Sequence, residues 1–359
     1  MTRTRSRRGA PGIVEVAARA GVSIATVSRA FNAPDRVAPE TRRRIENAAR
    51  ALGYQQDLTS GTLGPGFSGT MGMIVPTVDN AIFAQLVDAF SRRLNEQGRT
   101  MLIATHNYDL SLEVPIVRAL IRRKIDGVVV VGLDHLDPPI AMLRDRAIPV
   151  LAIWNHRPGA PIPCIGADNH DAGARAMRHL LGLGHRDIGL LFPETAGNDR
   201  AQDRLTGAMK AAAAAGAPVP PGRVIPCPYD IGAAKRAMAG VLAGEPPTAV
   251  LCGNDVIAQG VLYACQAAGV AVPARLSVMG IGDFTGSAHL EPGLTTIRIP
   301  ARRIGAMAAD SIVEASRLGR DPSPDTAPVA ARLVVRRSTA PPRGRRNGSD
   351  PLAGGPGDA

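Results

Sequence analysis

The chain has 359 residues, a formal net charge of +11 and a hydrophobic content of 45%, with aromatic residues at only 3%. This length allows two or three domains around a large buried core. No apolar run approaches the length of a membrane span, and no hydrophobic stretch follows the N-terminal arginines. The sequence therefore predicts a cytoplasmic protein with neither a membrane segment nor a secretory signal.

The positive charge is concentrated at the two ends of the chain. Residues 1–60 hold eleven arginines and five acidic residues, and residues 336–359 hold five arginines and two aspartates. The 275 residues between them carry only about +2. A basic head on a near-neutral body predicts a polyanionic partner for the head. The arginines of residues 1–8 and of the C-terminal tail are more typical of a solvated charge run.

Residues 13–32 have the pattern of two short helices around a tight glycine turn. Ala17 is small where the helices must touch, Gly21 suits a sharp turn, and Ser23 is a suitable N-cap for a helix from about Ile24. This pattern indicates a DNA-reading helix-turn-helix, with an ordinary helical hairpin of some core as the alternative. The residues of the predicted apolar stripe are Ile13, Val16, Ala20, Val22, Val27 and Ala30.

A third amphipathic helix is predicted after Pro39, and the head should end near Tyr54. A polar, glycine-rich linker follows it. One face of the third helix carries Ile45, Ala48, Ala49 and Leu52. The predicted boundaries are 1–11 for a disordered basic arm, 12–55 for the helix-turn-helix domain and 56–70 for the hinge or linker.

From Met71 onwards, short apolar runs alternate with amphipathic helices, which predicts parallel sheets covered on both faces. There are enough units for two similar lobes. The predicted strands are 71–76, 101–105, 127–131, 149–153, 187–192, 249–252 and 276–281. The predicted helices lie near 82–97, 111–123, 169–183, 200–215, 231–243, 254–268 and 300–318.

The body is expected over 71–338, with a disordered tail over 339–359. The first lobe is predicted at about 71–167 and 295–327, and the second at about 168–293 and 328–338. The fold class is thus an N-terminal all-α helix-turn-helix domain followed by a two-lobed α/β domain. The cysteines lack a Cys-x-x-Cys spacing and are expected to be reduced and largely buried. They are Cys164, Cys227, Cys252 and Cys265.

Over roughly residues 12–338 the chain resembles a transcriptional regulator of the LacI/GalR family. The most specific motif is VAARAGVSIATVSRAFN with the following VAPETRRRIENAARALGY. Supporting motifs in family order are GADNHDAGARAMRHLLGLGHRDIGLL, NDRAQDRLTGAM, CGNDVIAQGVL, LSVMGIGDF and PGLTTIRIP. The resemblance implies a body with the periplasmic-binding-protein fold and a ligand between its lobes.

The resemblance also implies that the second helix of the motif lies in the major groove of DNA. Its start would present Ile24 and Ala25 to base edges, where only apolar contact is open to them. Arg29 could reach guanine O6 and N7 with two hydrogen bonds. The short polar residues suited to phosphates are Thr26, Ser28, Asn32 and Thr41.

Family members carry a hinge, Y-x-P-N-x-x-A-R-x-L, whose leucine wedges into the minor groove. Here Tyr54 and Leu63 match. Gly61 and its neighbouring glycines and proline disfavour a hinge helix, so we expect less bending of the DNA or more dependence on dimer contacts. The other departures are Gln56 for Pro, Asp57 for Asn, Ser60 for Ala and Gly61 for Arg.

Carried over position by position, the family's effector site gives seven residues after the strands of the two lobes. Arg200 is a possible further one. The resemblance to the gluconate-regulator branch favours an anionic ligand. The site contains Arg204 and few carboxylates, and Gly282 stands where the family usually has an acidic residue. The seven residues are Asn80, Phe83, Trp154, Asn155, Arg204, Asn254 and Asp283.

The resemblance predicts a repressor that binds a palindromic operator as a homodimer and is released by a sugar acid such as gluconate. Alternatives are a solute-binding protein for a transporter, or a regulator that responds to a neutral sugar or is activated by its ligand. No motif of a nucleophilic enzyme, metalloenzyme or nucleotide-binding loop is present, and the seven histidines are scattered. We expect no enzymatic activity, no metal and no cofactor.

Overall fold

The computed structural model describes residues 12–54, 67–79, 81–323 and 327–342. The expected arm at 1–11, the linker up to residue 66, Leu63, Asn80 and the tail from residue 343 lie outside the described residues. The head contains α1 (Ile13–Ala20), α2 (Ile24–Asn32) and α3 (Pro39–Leu52). The three predicted helices of the head are therefore confirmed.

The head packs around one small apolar core. Gly21 adopts the left-handed conformation, φ +62°, and terminates α1, which lets α2 turn back across α1 and α3. The predicted apolar stripes of all three helices meet in this core. Its buried members are Val16, Ala17, Ala20, Val27, Ala30, Ile45, Ala48 and Ala49.

The first lobe is a parallel sheet with helices on both faces. Its strand order is β2-β1-β3-β4-β5, so β2 and β5 are the edges. The strands are β1 (Thr70–Val75), β2 (Thr100–Thr105), β3 (Gly127–Val131), β4 (Val150–Asn155) and β5 (Cys164–Ala167). The helices are α4 (Ala81–Glu96), α5 (Glu113–Arg122), α6 (Asp137–Arg144) and α11 (Ala301–Leu318).

The second lobe is a mixed sheet in the order β11-β10-β9-β8-β6-β7, in which only β11 pairs antiparallel. Its strands are β6 (Ile188–Phe192), β7 (Val224–Pro226), β8 (Ala249–Cys252), β9 (Ser277–Gly282), β10 (Thr295–Arg298) and β11 (Arg332–Val334). Its helices are α7 (Asn169–Gly182), α8 (Asp199–Ala214), α9 (Ile231–Leu242) and α10 (Asp255–Ala267). The chain passes between lobes after β5, after β10 and between α11 and β11.

Strand β10 corrects the predicted lobe boundary. The sequence places residues 295–327 in the first lobe, but β10 pairs with β9 in the second. Its polar residues Thr295 and Thr296 are buried because their hydroxyls have partners: Thr296 donates to Asp255 at 2.7 Å. A run that looks polar is thus an interior strand. The other elements without a strong sequence signal are short: β5, β7, β11 and α6.

The ordered body extends into both the segment predicted as a linker and the segment predicted as a disordered tail. Ser68 and Gly69, assigned to the linker, donate their backbone N–H groups to the carboxylate of Asp126 at 2.8 and 2.7 Å. Ala340, assigned to the tail, donates its backbone N–H to Ser277 Oγ at 3.0 Å. The carbonyl oxygen of Ala340 lies 2.9 Å from Nε2 of His185. The ordered body therefore includes residues 67–70 and 339–342.

Helices α7 and α8 approach so closely that only glycine fits at their contact. A Cβ on Gly207 would overlap the carbonyl of His170, and one on Gly173 would overlap the carbonyl of Arg204. We expect Gly207→Ala to lower the free energy of unfolding by about 3 kcal/mol, because two backbones must move apart. Gly240→Ala, on exposed α9 with open space at its Cβ, should instead stabilise by about 0.5–1 kcal/mol. Chemical denaturation measures both; equal effects would contradict this packing.

Buried histidines give the body a pH dependence. Burial lowers the pKa of His185 below its ordinary 6.5, and burial does the same for His179 and His106. Each is neutral in the fold, so the unfolded chain binds more protons below pH 6.5, and stability falls as the pH falls.

Replacing His185 by glutamine should flatten the decline of unfolding free energy between pH 6.5 and 5 by up to about 1.4 kcal/mol per pH unit. Glutamine can keep a hydrogen bond to Thr248, which lies 2.9 Å from the ring. The same change at exposed His289 is the control and should leave the slope unchanged. An unchanged slope in the His185 variant would show that this ring is not the titrating group.

Candidate functional site

The start of α2 is exposed to solvent. Ser23 caps the helix by accepting the backbone N–H of Thr26 at 3.1 Å, as predicted. Ile24 is 49% exposed, and Ala25 and Arg29 are exposed as well. Val27 and Ala30, on the opposite side of the helix, are buried in the head core. The helix therefore presents two small apolar groups and one guanidinium on a single outer face.

The other predicted DNA-binding residues of the described part have different environments. Thr26 lies 2.8 Å from the hydroxyl of Ser23, and Ser28 is half-buried on the same helix. Thr41 is half-buried in the first turn of α3, and Tyr54 packs against Phe31 with ring centroids 6.1 Å apart. Asn32 is the last residue of α2, with its side chain outside the described part.

Helix α3 adds basic residues that the motif did not single out. Arg44 donates to the carbonyl of Ala20 at 2.6 Å and so binds the C-terminal end of α1 beside the turn. Arg43 and Arg50 are exposed. Arg42 pairs with Glu46 one turn later at 2.7 Å. With Arg19 on α1 and Arg29 on α2, the head thus carries guanidinium groups on all three of its helices.

In the body, aromatic and polar side chains of both lobes meet at the carboxyl ends of the central strands. They enclose a small space of about 20 Å³, enough for about one water molecule. We call this the inner cavity. Phe83, Tyr108 and Trp154 come from the first lobe. The second lobe contributes Arg200, Arg204, Tyr229, Asn254 and Phe284.

Arg204 is the most unusual group of the inner cavity. It is 4% exposed and has no carboxylate within ion-pairing distance among the described residues. Its Nε donates to Asn169 at 2.7 Å and its Nη1 donates to the carbonyl of Gly253 at 3.1 Å. Burial lowers its pKa. A buried, uncompensated guanidinium is a binding group for an anion.

Arg200, one turn earlier on α8, has its charge balanced. Its Nη1 donates to Asp199 at 2.8 Å and to the carbonyl of Val131 at 3.1 Å. Asp199 in turn accepts the backbone N–H of Leu133 at 3.0 Å. Because Val131 and Leu133 belong to the first lobe and α8 to the second, these bonds tie the lobes together.

Asn155 does not line the inner cavity, contrary to the prediction. Its Nδ2 donates to Asp199 and Asp203, both at 2.7 Å, and its Oδ1 accepts from Asn169 at 3.0 Å. Asn169 is the residue that holds Arg204. Asn155 therefore positions the arginine and joins the lobes.

Asp283 also does not line the inner cavity, although its chain neighbour Phe284 does. Its carboxylate pairs with Arg298 at 2.5 Å and with Arg336 at 2.7 Å, next to the crossing from β10. Both oxygens are occupied by protein, so the expected hydroxyl acceptor is instead a structural ion pair. Of the other predicted residues, Phe83, Trp154, Arg204 and Asn254 lie together in the inner cavity.

Two tyrosines that sequence reasoning missed separate the inner cavity from a larger space outside it. Tyr108 of the first lobe and Tyr229 of the second contact each other with ring centroids 6.0 Å apart. Asn107 and Tyr108 both have positive φ, +49° and +64°, and this strained turn carries the ring into the cleft. Burial raises the pKa of Tyr108, which keeps its hydroxyl protonated. Neither tyrosine lies in a helix or strand, so neither is marked by a periodic pattern. The only signal in the sequence is that each lies shortly after the end of a strand.

The space outside the tyrosine pair has a volume of about 660 Å³, within the range of small-molecule sites. We call it the vestibule. Tyr108 and Tyr229 line the vestibule as well. The polar residues around it include Thr77, Asp79, Asn107, Glu194, Asn198 and Asp230.

Asp255 is buried behind the inner cavity and has a structural role. It accepts hydrogen bonds from Ser287 at 2.5 Å, from Thr296 at 2.7 Å and from the backbone of Phe284 at 3.2 Å. Burial raises its pKa. These bonds fix the loop that carries Phe284 into the inner cavity.

Two kinds of site are absent from the part of the chain that the structure describes. There, His, Cys, Asp and Glu side chains form no group that could hold a metal ion. None of the helices in those ranges is long and apolar enough to cross a membrane. The four cysteines are buried, as predicted.

Comparison with known families matches the two parts of the chain separately. Residues 12–57 match the family described as bacterial regulatory proteins, lacI family. Residues 177–339 match the periplasmic binding protein-like domain. The first match covers the head and the second covers most of the second lobe.

Similar proteins match along nearly the whole chain. The HTH-type transcriptional regulator DegA of Bacillus subtilis is 28% identical over 92% of this chain and 98% of its own length. The HTH-type transcriptional repressor PurR of Escherichia coli O1:K1 is 29% identical over 91% of this chain and 96% of its own. A solved structure of the transcription regulator GntR from Chromobacterium violaceum is 32% identical, with a TM-score of 0.71, over 75% of this chain and 99% of that one.

Proposed function

The chain belongs to the LacI family of DNA-binding transcription regulators, and on this premise we propose that it is a repressor controlled by a sugar acid. It binds a palindromic operator as a homodimer in the cytoplasm, and a sugar acid such as gluconate, bound between its lobes, releases it. The observation that carries the ligand part is the buried, uncompensated guanidinium of Arg204. Its relatives are transcription regulators rather than enzymes, and its head distinguishes it from a solute-binding protein.

The DNA part is supported by the outer face of α2. Ile24 and Ala25 offer apolar contact to thymine methyl groups, and Arg29 offers a bidentate pair to guanine. Phosphate contacts that set the register come from Thr26, Ser28, Asn32 and Thr41. Tyr54 and Leu63 belong to the DNA-binding hinge, with Leu63 as a minor-groove wedge.

The dimer is supported by a groove beside α4 and edge strand β2 of the first lobe, lined by apolar residues together with Asp88, Ser91, Arg92 and Asn95. Val78 and Met101 line this groove, which has a volume of about 550 Å³, and Val78 is 58% exposed. Ile103, on edge strand β2, is 40% exposed. A second copy of the chain would cover this surface, and two heads on one symmetric body would meet two half-sites.

The ligand part rests on charge and space. A carboxylate that reaches Arg204 would gain charge-assisted hydrogen bonds and balance its buried charge. Trp154 and Phe83, with ring centroids 5.7 Å apart, offer aromatic faces to the carbon chain. Asn254 also lines the inner cavity, whereas Asp283 does not.

The regulation rests on the bonds between the lobes. The inner cavity of about 20 Å³ is smaller than a sugar acid, so a ligand must separate the Tyr108–Tyr229 pair and shift one lobe against the other. The bonds of Asp199 and Arg200 to the first lobe then rearrange. A 100-fold preference of the ligand for one lobe arrangement supplies about 2.7 kcal/mol of coupling to the heads.

A gel shift on DNA upstream of the chain's own gene, with and without gluconate, tests the function. We expect a specific complex that gluconate dissociates. Isothermal titration with gluconate, glucose and galactose tests the ligand class separately, and binding of neutral sugars alone would overturn the sugar-acid proposal. A complex that gluconate strengthens would overturn release as the mode of control.

A further inference from the structure

The two compartments of the cleft carry opposite charge. The inner cavity holds the uncompensated guanidinium of Arg204, next to Arg200, whose charge Asp199 balances. The vestibule is lined by three exposed carboxylates, Asp79, Glu194 and Asp230. Among the described residues that line the vestibule there is no lysine, arginine or histidine.

Little in the protein neutralises these carboxylates. The side chains of Asp79 and Glu194 make no hydrogen bond or ion pair among the described residues. Asp230 accepts only the backbone N–H of Ala233, at 2.6 Å, where it caps α9. All three face solvent and retain a negative field over the entrance.

The inner cavity and the vestibule meet at the tyrosine pair. Tyr108 and Tyr229 line both spaces. A ligand with its carboxylate at Arg204 that extends past the two rings ends in the vestibule. Its far end then lies among the carboxylates.

We propose that this cleft selects singly charged sugar acids over doubly charged ones. Arg204 binds the single carboxylate in the inner cavity, and the vestibule accepts a terminal hydroxyl but repels a second carboxylate. This inference rests on the proposed sugar-acid ligand and adds the orientation of the ligand and the group that it must not carry.

The vestibule carboxylates can accept hydrogen bonds from a primary hydroxyl, which is a donor. A second carboxylate is an acceptor only and would bring like charges together. Two exposed like charges a few ångströms apart repel each other only weakly in water, but the repulsion by three carboxylates adds up. We expect about tenfold weaker binding of the diacid.

Gluconate and glucarate are the matched probes, because they differ only in a terminal CH2OH against a carboxylate. Glucitol, in which the first carboxylate is also replaced, is the neutral reference. Isothermal titration of the full chain should give gluconate about tenfold tighter than glucarate, with glucitol weaker than gluconate. In the variant Asp79→Asn/Glu194→Gln/Asp230→Asn, glucarate should tighten until the ratio is below threefold.

Glu245→Gln is the control, since Glu245 is an exposed carboxylate at the amino end of β8 and away from the cleft. It should leave the tenfold ratio unchanged. Each ratio is measured on one protein preparation, so a loss of folded protein in a variant does not mimic the effect. A ratio below threefold in the unaltered chain, or one that the triple variant leaves unchanged, overturns the selectivity while the sugar-acid proposal stands. If neither acid binds, both proposals fail.

Discussion

Replacement of Arg29 by alanine should lower the affinity for the specific duplex by at least 100-fold and leave ligand affinity unchanged. One bidentate arginine–guanine pair contributes about 1–3 kcal/mol of discrimination, and a dimer on an inverted repeat makes two of them. Arg29 is exposed on α2 and supports no core contact, so the head should remain folded. Fluorescence anisotropy with specific and random duplexes measures the effect.

Arg50→Ala is the matched control for Arg29→Ala. It removes the same charge from an exposed position at the end of α3. We expect a loss below tenfold that is equal for specific and random DNA, because a lost phosphate contact carries no sequence information. Specific affinity that survives in the Arg29 variant within threefold would show that α2 docks differently.

Replacement of Arg204 by methionine should weaken gluconate binding about 100-fold or more, because a desolvated anion then has no partner. The change also leaves the acceptors Asn169 and Gly253 without their donor, so we expect a cost of about 1–3 kcal/mol in stability. Isothermal titration measures the affinity, and thermal unfolding reports the stability. Specific DNA binding without ligand should persist.

Arg186→Met separates this effect from the general loss of an arginine. Arg186 also makes two hydrogen bonds to backbone carbonyls in the second lobe, but at the amino end of β6. Its ligand affinity should stay within twofold of the unaltered chain. Gluconate binding that is retained by the Arg204 variant would exclude this guanidinium as the anion site.

The head could be predicted almost completely from sequence because its determinants are local. The positive φ of Gly21, the cap at Ser23 and the apolar stripe depend on residues a few positions apart. The structure adds Arg44, whose bond to Ala20 spans 24 residues and has no periodic signal.

The cleft was predicted in part, since it depends on contacts across the two lobes. Trp154 and Arg204 follow recognisable elements and lie in the inner cavity. Asn155 and Asp283 have suitable chemistry, but their hydrogen-bonding groups are taken by Asp199 and Arg336 from distant parts of the chain. A sequence motif shows which residue is present, but it does not show which other group of the protein already hydrogen-bonds to its side chain.

The lobe boundary was wrong for a related reason. The sequence predicts no strand at Thr295 and Thr296, yet they form part of β10, and their hydroxyls are satisfied by groups more than forty positions away. Burial of a polar strand depends on such partners, and no local pattern shows them.

The central claim is that a helix-turn-helix head reads two DNA half-sites under the control of the cleft. Selection from a random duplex library by the purified full chain, at moderate ionic strength, tests it most directly. The account predicts enrichment of one inverted repeat, and gluconate should release the selected duplex. Recovery of duplexes with no common inverted repeat, bound no better than random competitor, would contradict it.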